Sequence, residues 1–241
     1  MSQVYPLFKR EFLGYFRAPV AYVFLVAFLA ISVSLAFSRY GNFFKSGNAS
    51  LEGYFLFYPW LFMFLVPAVG MRLWSEEKRS GTVELLFTLP VTTLQAVFGK
   101  FLAGWAFLAL AILLSFPMAL TVGYLGSPDW GVILTSYFGS ILMAGAYLGI
   151  CCLMSALTKN QVISFVLSLM MCAVLVFLGL SGFKDSLESL LPIGFADAIS
   201  NFSFMTHFDA FLKGIIDPKD VAFFLSLTAF CLFVNVLVLE R

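Results

Sequence analysis

Six stretches of this chain run for about twenty residues or more without a single charged side chain. They are Ala18–Phe37, Gly53–Met71, Phe101–Leu125, Val132–Leu157, Val162–Ser181 and Val221–Leu239. A helix needs about 20 apolar residues to cross a hydrocarbon core of ~30 Å, so each stretch is long enough to span a bilayer. The third can begin earlier, near Thr93. Backbone N–H and C=O groups have no water to bond with in lipid, so such spans must be helices or a closed barrel. A barrel needs short alternating strands, which the sequence lacks. Hydrophobic residues make up 61% of the chain and charged residues 11%. Soluble domains carry about 25% charged residues, so lipid must cover this surface. The sequence therefore predicts an all-α integral membrane protein with six transmembrane helices.

Loop charges set the expected orientation. With the N-terminus inside, nine basic residues lie on the inner side (Lys9, Arg10, Arg17, Arg72, Lys78, Arg79, Lys100, Lys159 and Arg241) and five outside (Arg39, Lys45, Lys184, Lys213 and Lys219). Both termini are thus expected in the cytoplasm. The run Ala18–Phe37 is too long for a signal-peptide core and is read as a retained first span. Residues 1–17 form an amphipathic pattern. Val4, Tyr5, Phe8, Phe12, Tyr15 and Phe16 share one face of a helical wheel, with Arg10 and Arg17 opposite. That pattern suits a helix lying in the membrane interface or packed on a neighbouring domain. Residues 182–220 are the longest outer segment and mix short apolar stretches with acids, as short outer helices before the last span would. Residues 1–241 read as one transmembrane domain.

Several chemistries are excluded or disfavoured. The 14 basic and 13 acidic residues nearly cancel, so there is no electrostatic footprint for nucleic acid. No phosphate-binding glycine loop occurs. The cysteines Cys151, Cys152, Cys172 and Cys231 all lie in apolar runs, without metal-type spacing or a polar loop for disulfides. No catalytic residue, metal ligand or cofactor site is expected in this chain. Gly179-Leu180-Ser181-Gly182 matches the G-x-S-G of intramembrane serine proteases, and His207 is the only histidine, but no span separates the two. That protease is a remote alternative; the plainer reading is a helix-end serine and a loop histidine. Gly145 and Gly149 form a G-x-x-x-G in the fourth span, which fits close helix packing within the subunit better than a dimer face.

The segment Ser75–Pro90 stands apart. Glu76, Glu77, Lys78 and Arg79 form a charged arm after the second span. Gly81 can interrupt a helix, and Thr82 can cap the next one. Glu84 then falls where the helix dipole favours a carboxylate. Leu85, Leu86 and Leu89 supply an apolar stripe, and Pro90 ends the helix. A capped, striped helix lying across the inner membrane face is suited to docking in a groove on a soluble partner.

At these residues the chain resembles the ABC-2 class of ABC-transporter permeases. The match lies at Glu77, Gly81, Thr82, Glu84, Leu85, Leu86 and Pro90, together with the six-span layout, the interfacial N-terminal helix and the long outer segment. Within the class it looks most like the gliding-motility-type permeases, and next like the permease serving nitrous-oxide-reductase copper maturation. The resemblance implies a bacterial inner-membrane permease without its own nucleotide site. A cytoplasmic ABC ATPase dimer carrying ATP and Mg would drive it. A second permease subunit, identical or homologous, would complete the path, and an extracytoplasmic accessory protein could join it. The coupling set is then Glu76, Glu77, Arg79, Gly81, Thr82, Glu84, Leu85, Leu86 and Pro90, and the interfacial set is Phe8, Arg10, Phe12 and Arg17. The alternative from another class is an ATPase-independent membrane scaffold or channel.

Overall fold

A computed structural model describes residues 4–38, 51–82, 92–180, 182–183 and 201–240. They form α1 (Val4–Arg17), α2 (Pro19–Phe37), α3 (Glu52–Phe55), α4 (Tyr58–Gly70), α5 (Arg72–Ser80), α6 (Thr93–Leu114), α7 (Phe116–Leu125), α8 (Trp130–Leu157), α9 (Gln161–Phe177), α10 (Phe204–Leu212) and α11 (Pro218–Leu239), with no strand among the described residues.

α8 is the axis of the molecule. Every residue from Leu142 to Cys152 is buried, so this helix has no lipid-facing side through its middle. It is 28 residues long, about 42 Å at 1.5 Å per residue. Small residues let its neighbours approach. A Cβ on Gly139 would lie 2.5 Å from the Phe211 ring, one on Gly145 3.0 Å from Trp105 Nε1, and one on Gly149 3.5 Å from the Thr228 backbone. Gly145 therefore faces α6, and Gly149 faces α11.

A polar bond accompanies each of several of these contacts. Trp105 Nε1 donates to Ile141 O at 2.8 Å, and Tyr147 Oη donates to Pro59 O at 2.8 Å. Asn235 Nδ2 donates to Cys152 Sγ at 3.3 Å. Thr135 and Ser136 both donate to Phe211 O. Aromatic packing fills the upper core, where Phe55, Tyr58 and Tyr137 meet edge to face.

The span count differs from the expected six. Among the described residues, four helical stretches are long and apolar enough to cross a bilayer unaided: Glu52–Ser80, Thr93–Leu125, Trp130–Leu157 and Pro218–Leu239. A fifth is counted if α1 and α2, bent by 72°, act as one broken span. Pro19 at the start of α2 makes that break. α9 has only 17 residues, about 26 Å. It stops before Ser181 because Gly179 and Leu180 tighten into i→i−3 bonds. A Cβ on Gly179 would fall 2.2 Å from Ser203 Oγ, so the approach of Ser203 fixes both the glycine and the helix end. The expected span at Phe101 starts at Thr93, behind a capping box of Thr92 and Gln95. Of the 182–220 segment, the described part contains α10, whose Phe204, Phe208, Phe211 and Leu212 are buried. The apolar stretch at 190–193 lies outside the described residues.

Gly70 and Gly14 allow a matched test of this packing. A Cβ on Gly70 would sit 2.3 Å from Cys151 Cβ, whereas Gly14 has no atom within 4 Å of such a position. Gly70→Ala should destabilise the folded protein by about 1–3 kcal/mol, read as a lower thermal midpoint in detergent. Gly14→Ala should be neutral or slightly stabilising. Adding Cys151→Gly to Gly70→Ala should recover part of the loss.

Candidate functional site

The charged arm is a helix that continues directly from α4. The junction is Met71, which is helical in its own dihedrals. The first N–H groups of a helix lack intrahelical partners, and here a side chain from α8 supplies one. Trp74 N and Ser75 N each lie 3.0 Å from Ser155 Oγ, while the Ser155 hydroxyl donates to Met71 O at 2.9 Å. Lys78 Nζ donates to Ala156 O one turn further along. α5 is thus pinned at its root to the end of α8. Its first turn, Leu73 to Ser75, is buried, and Glu76 and Arg79 are exposed.

Gly81 ends α5. Its φ of 73° is left-handed, and its N–H bonds to Glu77 O. Glycine reaches that conformation without a Cβ clash. Thr82 follows the break. It is already helical, and its hydroxyl lies 2.9 Å from Ser80 Oγ and 3.5 Å from Glu77 O. Ser80 Oγ also bonds to Glu76 O and Glu77 O. These hydroxyls satisfy the last carbonyls of α5, so the break belongs to Gly81. Glu84, Leu85, Leu86, Leu89 and Pro90 lie outside the described residues.

Lys100 is the main feature that sequence reasoning missed. Its side chain is 3% exposed, and Nζ lies 2.7 Å from Glu77 Oε1 and 3.5 Å from Glu11 Oε2. Nζ also sits 5.2 Å from the centre of the buried Trp74 ring, within cation–π range. One ammonium therefore joins α1, α5 and α6. Arg10 Nη2 holds the other Glu11 oxygen at 2.7 Å. Burial raises the Glu11 carboxyl, but Lys100 and Arg10 outweigh it and hold the group below the usual glutamate range. A cavity of about 320 Å³, lined by Glu11, Tyr15, Arg72, Glu76, Glu77 and Lys100 among others, lies between the three helices. Glu77 Oε2 and Arg72 Nε are buried without a hydrogen-bond partner in the described structure.

α1 is brought to this cluster by close packing on α6. A Cβ on Gly99 would lie 2.8 Å from Leu7, and one on Gly104 would lie 3.0 Å from Tyr15 Oη. Tyr15 stacks on Phe107 at 5.0 Å. Phe8, Phe12 and Phe16 form a ladder of ring contacts along α1, and Arg10 and Arg17 are exposed. A signal for the cluster was present in the sequence. Lys100 interrupts a helical apolar pattern that starts at Thr93, and a cation on such a face needs a carboxylate.

The protease pairing finds no support in this geometry. His207 Nδ1 lies 2.7 Å from Asp220 Oδ1 and Nε2 lies 2.7 Å from Asn201 O. Neither ring nitrogen is left for a serine, and Ser181 lies outside the described residues. No group of three or more histidine, cysteine or acidic side chains is placed to hold a metal among the described residues.

The profile of the ABC-2 family transporter proteins matches residues 5–238. The chain belongs to this family. No individual curated protein matches it. Family membership and the long apolar helices make it a multi-pass membrane protein of the ABC-2 permease type.

Removing the Lys100 charge should leave Glu77 without its cation and Glu11 with Arg10 alone. Breaking a fully buried ion pair costs about 3–5 kcal/mol. The carboxylates are 23% and 21% exposed, so Lys100→Met should cost less, about 2 kcal/mol. Lys100→Met combined with Glu77→Gln should cost less than the sum of the single changes. Unfolding in graded denaturant measures all three; strict additivity would exclude the ion cluster.

Proposed function

We propose that this chain is the permease subunit of an ABC transporter, driven by a separate cytoplasmic ATPase dimer that carries the ATP and Mg. The observation that supports this reading is the build of α5. It is buried and pinned at its root by Ser155 and Lys78, bonded sideways to α6 through Lys100, and exposed towards its tip at Gly81 and Thr82. A push at such a tip is carried into the helix bundle rather than absorbed by a loose loop.

In this proposal Glu76, Arg79, Gly81, Thr82, Glu84, Leu85, Leu86 and Pro90 form the ATPase-facing segment. Glu77 has a second role inside the protein, as the Lys100 partner. Phe8, Arg10, Phe12 and Arg17 belong to an interfacial helix, with α2 as the first span and α9 as a short fifth of six. Both termini face the cytoplasm of a bacterial cell, and 182–220 faces outward. A second permease subunit completes the path, and an extracytoplasmic accessory protein can join it. The gliding-motility-type permeases remain the nearest sub-family in motif and layout. The cargo is apolar or amphipathic and moves outward, or else force is delivered to an outer protein, because the long spans offer few charges to small ions.

The decisive measurement is the association of the permease with its ATPase in mild detergent. Reversing a charge at a docked carboxylate costs about 1–3 kcal/mol, or roughly five- to hundredfold in affinity. Glu84→Lys should weaken co-purification of the ATPase by that much while leaving membrane insertion intact. Unchanged retention in this variant removes Glu84 from the interface. A protein that never retains an ATPase is instead a scaffold or channel.

A further inference from the structure

The chain's only histidine sits in an arrangement that requires an extra proton. His207 is on α10, and Asp220 is in the first turn of α11. The His207 and Asp220 side chains are 15% and 13% exposed. Nδ1 faces the Asp220 carboxylate, and Nε2 faces the Asn201 backbone carbonyl, each at 2.7 Å. The ring stacks on Phe223 with centroids 3.9 Å apart and planes 20° apart. A backbone carbonyl only accepts hydrogen bonds, so Nε2 must carry hydrogen. A carboxylate also only accepts, so either Nδ1 carries a second hydrogen or Asp220 is itself protonated. Both arrangements hold one proton more than a neutral imidazole beside a carboxylate. The proton belongs to the pair.

We propose that His207 and Asp220 form a proton-binding latch that closes the turn at 201–203 against α10, with Asp220 of α11 as its anchor. When the proton leaves, a neutral ring donates from one nitrogen only. Its other lone pair then faces an oxygen lone pair at hydrogen-bond distance. The contact to the charged Asp220 is the stronger of the two, so the ring keeps its hydrogen on Nδ1 and the Asn201 contact opens. That turn is a structural joint. Ser203 Oγ accepts from Met205 N to cap α10, and the same residue packs against Gly179 at the end of α9. Opening at Asn201 therefore loosens the seam between α9 and α10.

Among the described residues, the nearest charged side chain in sequence is Lys219, which precedes Asp220 on α11 and is exposed. Asp209 pairs with Lys213 on α10, and Asp217 caps the Lys219 amide at the start of α11. α8 and α9 bring no charged side chain. The latch does not depend on the ATPase reading. In the proposed orientation it faces outward, where pH is set by the surroundings of the cell.

The test is amide hydrogen exchange on the full chain in lipid nanodiscs, corrected for intrinsic rates, across a pH series followed at the single histidine. Protection of amides 202–210 should fall about tenfold or more as pH rises, the scale of one lost charge-assisted bond. The signal of the single ¹³C-labelled histidine reports when the ring gives up its proton. Asp220→Asn supplies the discriminating variant. An asparagine N–H can donate to Nδ1 while a neutral ring donates from Nε2 to Asn201, so both contacts close without the extra proton. Protection in Asp220→Asn should therefore stay high across the range. The proposal is overturned if wild-type protection stays flat while the histidine titrates, or if Asp220→Asn loses protection with pH as the wild type does.

Discussion

A helix buried on all sides must offer every neighbour a fitted face, and α8 is that helix. Lipid cannot solvate its middle, so the surrounding elements must do so. Hydrophobicity does not select one arrangement here, because lipid tails are as apolar as leucine. Selection comes from close approach and from polar bonds that fit only one way. Gly70 of α4 meets Cys151, Phe211 of α10 enters at Gly139, and Trp105 of α6 lies over Gly145. Single polar bonds fix the register: Trp105 to Ile141 O, Tyr147 to Pro59 O, and Asn235 to Cys152. Each is directional, and leaving it unmade in hydrocarbon is costly. The bundle is ordered by these contacts more than by the amount of apolar area it buries.

The Lys100 cluster extends the same logic to charge. An ammonium that is 3% exposed needs compensation, and both carboxylates come from other helices. α1 would otherwise be a surface helix held by its aromatic ladder. Glu11 commits it to the site where α5 and α6 meet. The unpartnered Glu77 Oε2 and Arg72 Nε beside a 320 Å³ cavity show that the cluster is not closed on itself. Fully satisfied ion networks are stiff, whereas this one keeps spare bonding capacity between three movable helices.

Much of this was legible in the sequence, and the gaps have physical causes. The apolar runs located the long helices, because hydropathy is a local signal, whereas the capping residues Asp129 and Asp217 start their helices two or three residues before the apolar runs begin. The end of α9 was misplaced because it depends on Ser203 arriving at Gly179, a contact that no local pattern records. The break falls at Gly81 as expected, and Thr82, which lies beyond it, also bonds back to the end of α5. A hydroxyl can bond to the turn before it as readily as to the turn after it. The charges of the arm were visible, yet the inward role of Glu77 was not. A carboxylate looks the same in sequence whether it faces water or a lysine 23 positions away.

The proposed coupling role follows from which contacts a force meets first. α5 is held to α8 by the neutral Ser155 hydroxyl at its root and by the Lys78 ammonium on Ala156 O nearer its tip, and to α6 by the Glu77–Lys100 pair beside an aromatic face. Charge-assisted bonds are roughly twice as strong as neutral ones. In the proposed coupling, a force applied beyond Gly81 therefore meets the bonds of Lys78 and Glu77 first, and the weaker Ser155 bonds lie beside the root. α6 then moves with α5, while Met71, where α4 passes into α5, serves as the pivot. Glu11 would draw α1 in the same direction, because it shares the same ammonium. In this arrangement one buried ammonium ties three helices together, and the neutral Ser155 bonds lie at the root of α5, beside the proposed pivot.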